Sequence, residues 1–117
     1  MTHLIFALEH AVSSNEQLKN EFDQAMHEIY HRALSEAGYK ASIFLNMLFT
    51  HRGIETARRL IHSPNISDGY TALWERKRLD LTVEALIHDN EKWHTLFTTE
   101  ELAICHKRLR QYEYIES

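Results

Sequence analysis

Five consecutive residues, His27-Glu28-Ile29-Tyr30-His31, satisfy the H-E-x-x-H pattern. In zinc peptidases two histidines one helical turn apart bind the metal, and the glutamate activates its water. Helical spacing places His27 and His31 roughly opposite the Phe22, Met26, Ile29 stripe, so the pair is expected to face solvent. No downstream His or Glu stands at a spacing that offers a third ligand, and a closed site also needs a shell that keeps water out. A chain with nine histidines and thirteen glutamates makes such a match easily by accident. No metal ligand, catalytic residue or cofactor is assigned on this pattern.

Other reactive residue types are no better placed. Cys105 and His106 are adjacent, and neighbouring helical residues point about 100° apart, too far to share a metal. Cys105 falls on an apolar helix face and is read as a small buried hydrophobe. His88-Asp89 and Trp93-His94 have no serine or cysteine set beside them, and sequence neighbours alone do not make a triad.

The basic residues are the stronger lead. Arg52, Arg58 and Arg59, with Arg76, Lys77 and Arg78, are candidate contacts for a partner or for nucleic acid. They would converge on phosphate, with Tyr70 or Trp74 stacking a base. Residues 51 to 78 carry six basic and three acidic groups, whereas residues 1 to 50 carry three and six, and 79 to 117 carry four and eight. The chain as a whole has a formal charge of −4, so it has no general attraction to anionic partners. Against the nucleic-acid reading, Trp74 is expected in the core, and solvated faces and structural ion pairs account for most such runs.

The 117 residues suffice for one domain and one core. With 44% apolar and 26% charged residues, three glycines and one proline, the composition is that of a packed helical protein. A single cysteine rules out an intramolecular disulfide. The Leu4–Leu8 run lacks the basic flank of a signal peptide, and no apolar run approaches the ~18 residues that span a bilayer. The expected setting is reducing and cytoplasmic, with no membrane partner.

Residues 1–12 are expected to form a short helix or arm. Ser13 and Glu16 have capping-box spacing, which starts a long helix near Ser14 that stops at Gly38. Its inward stripe is Leu18, Phe22, Ala25, Met26, Ile29, Ala33 and Ala37. A second helix, from about Lys40 to His51, presents Ile43, Phe44, Met47 and Leu48. Gly53 then permits a tight turn into a third, bearing Ile54, Ala57, Leu60 and Ile61, with a Glu55–Arg59 surface pair. Past Pro64, Ser67 or Asp68 caps a short helix with Tyr70, Leu73 and Trp74 as anchors. Asp80 caps the next, whose Val83, Leu86 and Ile87 face inward. Trp93 and Phe97 are expected to fold over the core edge. Thr98 and Glu101 form a capping box that opens a last helix with Leu102, Cys105, Leu109 and Tyr112 buried, and Lys107, Arg108 and Arg110 near its end complement the helix dipole. Residues 113–117 are expected to fray.

Several blocks together resemble a family of small bacterial proteins usually described only as hypothetical. They are Gly38-Tyr39-Lys40-Ala41 with Phe44, Gly53 to Ile61, Ser67 to Glu75 with Arg78 to Leu86, and Leu96-Phe97-Thr98 with Glu100-Glu101-Leu102 and Arg108-Leu109. The resemblance covers roughly residues 20 to 114. It implies a free-standing helical domain of prokaryotic or phage origin and brings no activity, ligand or catalytic residue with it. In that pattern the place of His31 is more often arginine, and Arg52-Gly53 is often a double glycine.

The expectation is therefore an all-α, compact, single-domain bundle of five or six helices. Its expected function is a non-enzymatic module that binds another protein or itself, supported by the acidic flanks and a long first helix, about 30 Å over twenty residues. The alternative is a small nucleic-acid-binding accessory protein using the central basic patch, with a zinc hydrolase through His27, Glu28 and His31 a distant third.

Overall fold

A computed structural model describes the backbone of residues 2–116 and the side chains from Asn15 to Glu116. The chain order is α1 (Thr2–Ala37), α2 (Ser42–His62), α3 (Asp68–Glu75), a 3₁₀ turn Leu79–Leu81, α4 (Val83–His88), a second 3₁₀ turn Glu91–Leu96 and α5 (Thr99–Gln111). The result is the expected all-α compact bundle, in which α1 packs chiefly on α2, and α4 on α5.

Helix α1 does not begin near Ser14. It runs without a break from Thr2, so the Ser13–Glu16 signature lies inside a 36-residue helix. A capping box marks a start only where the preceding backbone leaves helical geometry, which it does not do here. Residues 1–12, expected as a separate short helix or arm, are the start of this helix from Thr2 on, and their side chains lie outside those described. The stop is as expected: Gly38 takes a φ of 66°, and Tyr39 N–H reaches back to the Ala33 carbonyl at 2.9 Å.

Helix α2 is two helical arms joined at a sharp corner. The residue that turns is Arg52, at φ 66° and ψ −175°, rather than Gly53. In a straight helix nine residues rise about 13.5 Å, yet Thr56 Oγ1 donates to the Met47 carbonyl across the corner at 3.0 Å. Gly53 serves a different need. A Cβ there would stand 3.0 Å from Asp23 Cα, so its hydrogen lets the corner press against α1. Asp23 Oδ1 in turn accepts the Gly53 N–H at 2.8 Å and caps the second arm from the neighbouring helix.

The main core joins Phe22, Met26 and Ile29 of α1 to Leu48, Ala57 and Ile61 of α2, Val83 and Ile87 of α4, and Cys105 of α5. Trp93 and Phe97 belong to this centre and not to its edge: both rings meet Phe22 edge to face, at 5.3 and 5.4 Å. Of the expected α3 anchors, Tyr70 and Leu73 are buried, but Trp74 is 46% exposed and leans edge-on against Tyr112 at 5.5 Å. Eight residues of helix give α3 one buried face, and Tyr70 and Leu73 fill it.

Two caps behave as read from the sequence. Ser67 Oγ accepts the Tyr70 N–H, and Thr98 with Glu101 completes a full capping box. The cap of α4 is Thr82 and not Asp80, because the chain first makes the 3₁₀ turn Leu79–Leu81. The tail is docked rather than frayed as far as Ile115: the Tyr114 hydroxyl donates to Asp89 Oδ2, and Ile115 packs against the cluster of Tyr70, Leu79, Ala85 and Leu109.

Candidate functional site

The six basic candidates fall into two groups that share no partner. On α2, Arg52 donates to Asn20 Oδ1 at 2.9 Å and Arg59 pairs with Glu55 at 3.2 Å. Arg58 donates to the Leu96 carbonyl at 2.9 Å, closing the end of the second 3₁₀ turn, and lies 3.5 Å from Glu101. After α3, Arg76 donates to the Ala37 carbonyl at the end of α1 and to Ala72, with its guanidinium 5.2 Å from the Tyr39 ring centre. Arg78 grips both oxygens of Asp80 at 3.0 Å and reaches Glu36 at 2.7 Å. Lys77, at a φ of 60°, is exposed and makes no such bond among the described residues. Four of the six cations thus close helix ends or pair with acids, and Arg52 is held by the Asn20 side chain.

The histidine pair lies apart from any cluster. His31 is exposed, His27 is half-buried beside Phe49 at 5.7 Å, and among the described residues no three His, Cys, Asp or Glu side chains gather as a metal site would require. Cys105 is buried, and burial, with the nearby Glu84 charge, pushes its thiol up to about 12, which leaves it an inert core group at neutral pH.

What the sequence left unread is a buried ion pair. Arg108, expected near the end of α5 only as a complement to the helix dipole, points inward, and its Nη1 meets Glu84 Oε2 at 3.0 Å. The same guanidinium donates to the carbonyls of Leu60, Ile61 and Ser63 at 2.7–3.1 Å, so it closes the C-terminal end of α2 from another helix. Burial raises the Glu84 carboxyl above its ordinary range, opposed by its own backbone N–H and by Arg108.

Glu84 also forms part of the wall of a cavity of about 350 Å³. Ile29, Tyr30 and Ala33 of α1, the 39–41 loop, the first arm of α2, the start of α3 and residues 81–84 enclose it. Most of these groups are apolar; Lys40, Ser42, Ser67, Asp68, Thr82 and Glu84 are polar, and Glu84 is the buried carboxylate among them. The first arm of α2 carries Ile43, which also lines the cavity, at 75% and Phe49 at 73% exposure, and α1 carries Leu34 at 42%. A second, open groove of about 450 Å³ runs past Lys19, Arg52 and Arg58 and is shared with Asp23 and Glu55, which offset its charge.

No family model, no curated protein and no solved structure matches this chain.

Proposed function

We propose that the chain is a non-enzymatic protein-interaction module that works in the cytoplasm and presents the first arm of α2, with the adjoining C-terminal half of α1, to its partner. The observation that carries this reading is the exposure of Ile43 and Phe49 at about three quarters of their surface on a well-formed helix. Large apolar side chains kept in water on a rigid element are what an interface supplies to its partner. The buried reactive groups support a non-catalytic role, because Arg108 holds Glu84 in an ion pair and the Cys105 thiol stays protonated. The nucleic-acid alternative draws less support, since the guanidinium groups it needs are engaged within the protein.

Affinity capture from source-cell lysate at low and high salt tests the reading, with the Ile43→Asp/Phe49→Asp double variant in parallel. A protein retained at high salt by the wild-type chain and lost by the folded variant is the expected result. Equal capture by both would remove the assigned face. Nucleic acid held at low salt alone, and released when Arg58 and Arg78 are reversed in charge, would replace the proposal with its alternative.

A further inference from the structure

The cavity beside α3 has the size and lining of a small-molecule site. Its volume of about 350 Å³ lies within the ordinary range for ligand pockets and matches about a dozen water-sized groups. Phe44, Met47 and Leu73 give it an apolar wall, and Tyr70, whose hydroxyl is spent on the Arg108 carbonyl at 3.0 Å, adds an aromatic one.

The charges around it are unequal in depth. Lys40 and Asp68 are exposed at the mouth, where water screens both, whereas Glu84 is 4% exposed in the wall. Arg108 reaches only Oε2 of that carboxylate, the backbone N–H of Glu84 itself also bonds it, and no other side chain among the described residues does. A carboxylate has room for about four hydrogen bonds, and further bonds from a cation in so dry a place are strong.

We propose that this cavity binds a small molecule with an apolar body and one primary amine, the body lying against Phe44, Met47 and Leu73 and the ammonium donating to Glu84. A carboxylate in the same place has no proton to donate to the oxygen that Arg108 leaves free, and a plain hydrocarbon would leave that acceptor unused.

Phenethylamine, 3-phenylpropionate and ethylbenzene, of similar size and different head group, are the probes. Each is titrated into the full chain while methyl signals of Ile43, Met47 and Leu73 are followed by NMR. The expected result is saturable shifts with phenethylamine, at least tenfold tighter than with either analogue and lost in Ala41→Phe, which fills the mouth. Glu84→Gln, where it folds, should remove the preference for the amine. Equal affinity for the three probes, amine binding that survives Ala41→Phe, a retained preference in folded Glu84→Gln, or no shift at millimolar amine would each overturn the assignment. Ala41→Phe leaves the Glu84–Arg108 pair in place, so the test stands even if Glu84→Gln does not fold.

Discussion

Arg108 Nη1 donates to Glu84 Oε2 at 3.0 Å in the interior, and its remaining bonds go to three carbonyls at the end of α2. One side chain therefore neutralises a buried charge, ties α5 to α4 and supplies the cap that the second arm of α2 lacks in its own sequence. Arg58 at Leu96 and Arg76 at Ala37 repeat the device, each closing the last carbonyl of an element distant in sequence. A helix end buried without donors would be unstable, and here arginines from other elements provide them.

Removing the guanidinium should be among the most damaging single changes. Arg108→Met leaves Glu84 unpaired and three carbonyls short of donors, and a loss of about 3–5 kcal/mol is expected in urea unfolding. Adding Glu84→Leu should recover part of it, since no unpaired charge then remains. The single variant should also change its response to pH. Without Arg108 the Glu84 carboxyl moves further above its ordinary 4.5 in the folded state. The folded state then binds the proton more tightly than the unfolded chain, so the variant's stability should fall as pH rises from 4.5 through the raised value. A pH-independent deficit would count against this account.

The corner at Arg52 should be improvable. Its φ of 66° and ψ of −175° lie in a region that glycine enters freely and other residues enter at a cost of about 1–3 kcal/mol. Arg52→Gly forfeits one exposed bond to Asn20, so a net gain of about 1 kcal/mol is expected in chemical denaturation. Gly53→Ala should go the other way, by about 1–3 kcal/mol, because its methyl would meet the Asp23 backbone at 3.0 Å. Two neighbouring substitutions of opposite sign separate conformational strain from close approach.

Local signals carried far into this fold, and contacts between distant elements marked where they stopped. The α1 stripe, the Gly38 stop, the Ser67 cap and the Thr98–Glu101 box depend on residues within a turn or two, and all stand as read. Trp74, Arg108 and Glu84 depend on what lies opposite. A short helix shows from its spacing that Leu73 and Trp74 are neighbours, not which of them the other elements cover. Burial of Glu84 follows from enclosure of the six-residue α4 on nearly every side, a fact of packing with no periodicity to announce it. The cavity was hidden for the same reason, being formed by segments spread from Ile29 to Glu84.

The two tryptophans should separate cleanly. Trp93 is 5% exposed in the main core and Trp74 is 46% exposed against Tyr112. Trp93→Ala should lower stability by about 3–5 kcal/mol, as large core deletions do, and Trp74→Ala by roughly 1 kcal/mol. In Trp74→Phe the remaining emission should be blue-shifted and resist iodide; in Trp93→Phe it should be red-shifted and readily quenched. Equal quenching in the two variants would contradict the burial assigned to each.

Glu36 should report on acid more sharply than its exposure suggests. Hydrogen bonds from Arg32 and then from Arg78 hold its carboxyl down, from 4.5 to about 2. Protonation therefore takes place more readily in the unfolded chain, and the stabilisation is complete above pH 4.5 and disappears as pH falls through about 2. Asp80, lowered chiefly by Arg78, changes in the same direction. Thermal melts between pH 2 and 6 should show a loss of stability toward acid that shrinks in Glu36→Gln and shrinks again in Glu36→Gln/Asp80→Asn. Salt should weaken the effect, because both carboxylates are open to solvent. Since Arg78 joins the segment after α3 to the last turn of α1, the acid-weakened chain should loosen there first, with faster amide exchange at Leu79 and Leu81 than in the buried part of α5.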